Sequence, residues 1–243
     1  MRVTRIHVPG PLAPGSEITL PEQAGEHLVR VLRLETGAHF IVFDGTGGEY
    51  TASLASAGRQ VRARVLDHTP VERESPLDIT LLQGIARGER MDLIVQKATE
   101  LGVARIVPLI AERSVVKIDA KQRERKRGHW QSIVVSACEQ CGRNRIPEVA
   151  HPVSQDDAIA ALPAGSRRCL LAADATQPLV SVAAGSNSMV LLIGPEGGLA
   201  DNEQQHAMAN GFVACLLGAR IMRTETAGLA ALAALQAVAG DFR

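Results

Sequence analysis

Residues Val190–Leu199 constrain this chain more than any other stretch. Val190–Leu191–Leu192–Ile193 is a short run of aliphatic residues, the pattern of a strand covered on both faces. It runs into Gly194–Pro195–Glu196–Gly197–Gly198, which continues neither strand nor helix. Asp201, with Gln204 three positions on, reads as the N-cap of a helix reaching about Asn210 and stopped by Gly211. Strand, glycine loop and helix put the loop beyond a strand's carboxyl end, where open α/β sheets hold ligands. The loop lacks the Gly-Lys-Ser/Thr ending of a P-loop and the Gly-x-Gly-x-x-Gly spacing of a dinucleotide site. Taken alone, a plain tight turn accounts for it.

A second element of the same design follows. Leu216–Leu217 is the end of a strand, Gly218–Ala219–Arg220–Ile221–Met222–Arg223 a loop, and Thr224 or Thr226 the N-cap of a terminal helix. Two glycine loops leaving one sheet edge build a pocket from backbone amides and carbonyls, suited to an uncharged heterocycle such as adenine. Arg223 and Glu225 stand at its mouth, within reach of a polar substrate.

Composition narrows the class. Hydrophobic residues make up 46% of the 243, enough for a packed core, yet no apolar run has the ~18 residues of a membrane helix. Met1–Arg2–Val3–Thr4–Arg5 lacks the apolar centre of a signal peptide, so a cytoplasmic protein with no membrane partner is expected. Net charge is zero, but thirteen Lys and Arg stand against nine Asp and Glu between 76 and 150, and five against eight beyond. Lys121–Arg127 concentrates this excess, as either a solvated helix face or a phosphate contact. Aromatics at 2% are too few for stacking bases across a sheet. Cys138 and Cys141 have CxxC spacing without a second pair or a histidine pair to complete a zinc site. With Trp130, Ile133, Val134 and Ala137 they fall on one helix face, which favours buried thiols.

Two domains are expected. Residues 1–72 read as a small β-barrel, with a glycine turn at Asp44–Gly48 between strands 40–43 and 49–52, and alternation over Val61–Val65. Pro21 opens a short helix, while Val29–Arg33 fits a strand; His27 reads as structural. After the polar linker Glu72–Pro76, residues 76–243 alternate strands (79–84, 103–107, 170–174, 190–193, 212–217) with helices (90–101, 120–141, 225–239). Pro108 is expected to close the second of these strands. The alternation implies α/β architecture around a mostly parallel sheet.

The pairing of Leu-Ile-Gly-Pro-Glu-Gly-Gly with Leu-Gly-x-Arg-Ile-x-Arg-x-Glu-Thr-Ala resembles the RsmE family of knotted SPOUT methyltransferases. His27–Arg33, Arg90–Gly102 and Glu139–Arg143 agree with it, so the similarity spans nearly the whole chain; Arg87 stands where lysine is common. The resemblance implies a PUA-like RNA-binding barrel, a SPOUT domain with a trefoil knot, and a homodimer. It implies S-adenosylmethionine as cofactor and N3 of a uridine in 16S ribosomal RNA as target, on naked RNA or on the assembled small subunit.

Cofactor contacts are then expected at Leu171, Gly194, Pro195, Glu196, Gly197, Gly198, Leu217, Gly218, Ile221, Met222, Thr226 and Ala227. Catalysis is expected at Arg223, with Glu139, Glu225 or water taking the proton; Glu139 equally suits a salt bridge to Arg143. RNA contacts are expected at Arg33, Arg87, Lys97, Arg113, Arg143 and the 121–127 run. Alternatives are a SPOUT enzyme acting on a ribose 2′-hydroxyl and a non-catalytic RNA-binding protein. A nucleotide hydrolase is disfavoured, because no carboxylate cluster offers itself to magnesium.

Overall fold

The structure, a computed structural model, describes residues 3–114 and 119–242; Met1 and Arg2, part of the expected leaderless N-terminus, lie outside them. The chain divides into two compact units, 1–74 with 138–146, and 75–137 with 147–243. The expected domains were each continuous in sequence; the assignment of 138–146 to the first unit departs from that.

In the first unit, β1 (Arg5–His7), β2 (Glu17–Thr19), β3 (His39–Phe43), β4 (Glu49–Ala57) and β5 (Val61–Thr69) form one sheet in the order β1-β3-β4-β5-β2. β1 runs parallel to β3, and the other neighbours are antiparallel. Leu28, Phe40, Val42, Ala52, Leu54, Ala63 and Val65 are buried in its core, so the alternation of β5 puts its apolar side inward. Val29–Val31 is not a strand. It belongs to a π-helix (His27–Val31) that continues the short helix α1 (Glu22–Glu26). Leu28 is fully buried while Val31 and Leu32 stay exposed, and Arg33 ends the segment at a φ of 53°. One buried anchor in five residues is a helical rather than a strand pattern.

Segment 138–146 is held in this unit by charge. Arg5 pairs with Glu49 and with the Asn144 side chain. Arg73 donates to Glu49 (2.9 Å) and to the Gly142 carbonyl (3.0 Å). Arg145 pairs with Glu72 at 2.7 Å, and Arg143 with Glu74.

The second unit is an all-parallel sheet of β6 (Asp78–Gly84), β7 (Arg105–Ile110), β8 (Glu148–Val149), β9 (Val153–Ser154), β10 (Arg167–Leu171), β11 (Gln177–Pro178), β12 (Ser188–Ile193) and β13 (Phe212–Leu216), in the order β11-β13-β10-β12-β6-β7-β8, with β9 also on β7. Residues of β6 and β12 are almost all buried, as continuous aliphatic runs require. Helices α2 (Glu89–Glu100), α3 (Ala120–Cys141), α4 (Gln155–Ala160), α5 (Leu179–Ala183), α6 (Asp201–Ala209) and α7 (Thr224–Ala239) accompany it. The indole N–H of Trp130 on α3 donates to Asp92 on α2 at 3.2 Å.

Pro108 does not end β7. Leu109 accepts from Ile85 on the β6 side, so the N–H that proline lacks would point to the opposite side. There β8 pairs only as far as Ile106 and β9 starts at Leu109, leaving no ladder bond for Pro108 to break.

β12 and β13 follow one another in sequence yet flank β10 on its two sides. Their loops therefore straddle the end of β10. Topology, not proximity in sequence, brings the two glycine loops to one place.

Candidate functional site

Beyond the carboxyl ends of β10, β12 and β13 lies a cavity of about 670 Å³. Its walls are Leu170–Asp174 at the end of β10, Ile193–Glu196 with Gly198 and Leu199 after β12, and Ile221–Glu225 before and at the start of α7. Leu171, Gly194, Pro195, Glu196, Gly198, Ile221, Met222 and Ala227, all expected cofactor contacts, line it. Leu217 and Gly218 line an adjoining hollow of about 130 Å³ that shares Leu171, Met222 and Ala227 with the first. Gly197 and Thr226 line neither. Gly197 faces Arg113, whose carbonyl oxygen would be 2.9 Å from any Cβ there.

Glycine is required where β6 meets the first loop. A Cβ on Gly84 would overlap the Pro195 nitrogen, so the Gly194–Pro195 peptide lies flat on the end of β6. Gly198, at a φ of 70°, closes the turn by donating to the Pro195 carbonyl at 2.8 Å.

Neither helix after a loop starts as the sequence suggests. The N-cap of α6 is Ala200, with Asp201 already helical. Alanine has no acceptor, so only the reciprocal half of a capping box is made: Glu203 Oε2 accepts from the Ala200 N–H at 2.8 Å. Its other oxygen accepts from the Glu112 N–H at 2.9 Å. The N-cap of α7 is Arg223, without a side-chain bond. Thr224, buried, instead donates to the Gly194 carbonyl at 2.6 Å and accepts from Gln83 Nε2 at 3.0 Å.

Both signs of charge ring the cavity. Arg90, Arg113 and Arg223 line it, as do Asp174, Glu196 and Glu225. Arg90, to which no sequence motif assigns a role, reaches the first loop and the start of α7: its Nη1 is 3.2 Å from Glu196 and its Nε 3.7 Å from Glu225. Burial alone would raise the Glu196 carboxyl, but the amides of Arg87 and of Glu196 itself, together with Arg90, hold it below the ordinary value. Glu225 keeps a second, buried oxygen with no hydrogen-bond partner among the described residues.

The other expected residues are dispersed. Glu139 belongs to the first unit, where its carboxylate accepts from the His7 N–H at 2.9 Å and burial pushes it above the ordinary value. Arg143 is corrected as an RNA contact: it is buried in the first unit, with its Nε donating to Glu74 at 3.0 Å, so it offers no free charge to a phosphate. Lys97 pairs with Glu100 (2.8 Å), and Arg113 holds the Leu199 carbonyl (3.2 Å) and Asp201 (3.4 Å). Arg33 and Arg87 are exposed. In the basic run Lys121, Arg123 and Arg125 are exposed, whereas Lys126 lies over Trp130 and Arg127 donates to the Val149 carbonyl. Cys138 is buried and its thiol pushed up to about 12, chiefly by burial; all four cysteines are free. Among the described residues no cluster suits a metal ion and no helix is long and apolar enough to cross a membrane.

Two family profiles match the chain. One, an RNA methyltransferase domain, covers residues 73–236; the other, an RNA methyltransferase PUA domain, covers 20–66. The class is therefore that of RNA methyltransferases carrying a PUA domain. The Bacillus subtilis protein named ribosomal RNA small subunit methyltransferase E is 35% identical over 92% of this chain and 90% of its own length. Among solved structures, a Legionella pneumophila methyltransferase with bound SAM is 41% identical with a TM-score of 0.92, each chain covered in full. The Neisseria gonorrhoeae ribosomal RNA small subunit methyltransferase E bound to S-adenosyl methionine is 38% identical, again with a TM-score of 0.92 and full coverage. This chain belongs to the ribosomal RNA small subunit methyltransferase E family.

Proposed function

We propose that the protein transfers a methyl group from S-adenosylmethionine to N3 of a uridine in 16S ribosomal RNA. The observation that carries the reading is one cavity walled by both glycine loops, in a chain whose relatives at 41% and 38% identity hold this cofactor. The residues present fit it. The volume lies within the roughly 300–1000 Å³ of small-molecule sites, and backbone groups suit the adenine. Acids and cations together suit a ligand bearing a carboxylate and two positive centres. When bound, the cofactor supplies an already activated methyl group, so the chain's task is to align the reactants.

Arg223, exposed and in the cavity wall, holds the negative charge that spreads onto the uracil carbonyl oxygens as N3 loses its proton. One such donor contributes about 3 kcal/mol. Glu225 is the favoured acceptor of that proton, because it lines the same cavity and one of its oxygens has no partner among the described residues. Water is the other route. The target base must leave its stack to reach the site. Arg33, Arg87, Lys121, Arg123 and Arg125 are the exposed cations proposed to meet RNA phosphates. A cytoplasmic homodimer with a trefoil knot in the second unit completes the reading.

The test supplies labelled S-adenosylmethionine and this protein to small ribosomal subunits from cells lacking it, then identifies the modified nucleoside. 3-Methyluridine supports the proposal. A methylated ribose assigns the alternative chemistry, and no incorporation into subunits or naked 16S RNA contradicts transfer altogether.

A further inference from the structure

One buried side chain links the end of β6 to the first residue of α7, and that residue in turn holds the loop after β12. Gln83, next to last in β6 and fully buried, has both amide hydrogens in use: Nε2 donates to the Gly84 carbonyl at 3.0 Å and to Thr224 Oγ1 at 3.0 Å. The threonine hydroxyl has one hydrogen, which goes to the Gly194 carbonyl at 2.6 Å. Because a carbonyl only accepts, the direction of the chain is fixed from Gln83 through Thr224 to Gly194, and the glutamine amide cannot be turned round. Turning it would remove both donors at once. The amide oxygen is left buried without a partner among the described residues, facing Gly228 of α7, where a Cβ would come within 3.1 Å of it. The start of α7 is thus drawn onto the amide, with glycine where no side chain fits.

We propose that Gln83 and Thr224 are positioning residues that fix the spacing of the two glycine loops before any cofactor arrives. The inference deepens the reading of the cavity as the cofactor's site and rests on it for its functional meaning. Neither side chain need touch the cofactor: Gln83 is not in the cavity wall, and the Thr224 hydroxyl is committed to Gly194. Thr224 is more than a helix start, because its bond reaches thirty residues back to the other loop.

The test follows backbone amide exchange in the ligand-free protein at residues 194–198 and 224–228, alongside calorimetric titration with S-adenosylmethionine. Thr224→Val, which keeps shape and deletes the hydroxyl, is expected to speed exchange about tenfold in both loops and to weaken cofactor binding about tenfold. Thr224→Ser is expected to restore protection in both. Gln83→Met, which removes the amide donors and leaves the hydroxyl, is expected to act in the same direction, and it carries the test if Thr224→Val does not fold. Faster exchange confined to 224–228 would reduce Thr224 to a local role and overturn the proposal, as would unchanged exchange at 194–198. Failure of the unaltered protein to bind S-adenosylmethionine would instead overturn the cofactor reading, while the exchange data still decide the positioning claim.

Discussion

Arg223 and Glu196 belong to the same cavity but do different work. The Arg223 side chain has no hydrogen bond or ion pair to lose among the described residues, so its removal is expected to act on the reaction. Arg223→Ala should lower turnover about 100-fold, the ~3 kcal/mol of one charge-stabilising donor, and leave the dissociation constant for S-adenosylmethionine within about twofold. Single-turnover methylation and calorimetry on the same preparation check both halves. Glu196 ties the first loop to the Arg87 amide and Arg90, and its carboxyl titrates below the ordinary value. A carboxyl depressed by folding adds stability above its unfolded pKa and loses it as pH falls through the folded value. Glu196→Gln should therefore cost stability at pH 7, and the cost should shrink as pH falls below about 4. Urea unfolding of both proteins across that range measures it. An undiminished difference at pH 3 would show that the carboxylate's charge is not what holds the loop.

At the scale of elements, the sequence spoke clearly wherever a strand is buried on both faces or a helix is long. The expected strand at 79–84 is β6 (Asp78–Gly84) and the expected helix at 120–141 is α3 (Ala120–Cys141). Short elements with no periodicity to read, such as β9, β11 and α5, gave no signal. Where pattern misled, another strand or backbone group had taken over a local preference. Pro108 is harmless because two short strands leave a gap opposite it. A strand is expected over 170–174, yet β10 (Arg167–Leu171) stops at Leu171, and Ala172–Asp174 continue beyond it as cavity wall. Helix α6 has its N-cap at Ala200, one residue before the expected Asp201, and Glu203 accepts from the Ala200 amide. Glu203 accepts two backbone amides, so Glu203→Ala should destabilise the protein by about 1–2 kcal/mol in urea unfolding, and Glu203→Gln, which keeps one acceptor oxygen, by less.

For the whole molecule, motif and topology carry different information. Both glycine loops were legible as loops, and eight of the twelve expected cofactor residues line the main cavity. That β12 and β13 lie on either side of β10, bringing the loops together, has no local trace in the sequence. Nor did Arg90, Gln83 or Thr224 announce roles at the site, because their partners lie from thirty to more than a hundred residues away. The same holds for 138–146, whose partners in the first unit stand near both ends of residues 1–74. The central claim is that the two loops together hold one S-adenosylmethionine, and isothermal calorimetry with the full chain tests it most directly. One cofactor bound per chain, with binding weakened by a side chain introduced at Gly194 where the turn leaves no room, is the expected result. Absence of any binding heat at several temperatures, with the cavity empty in crystals soaked in the cofactor, would contradict it.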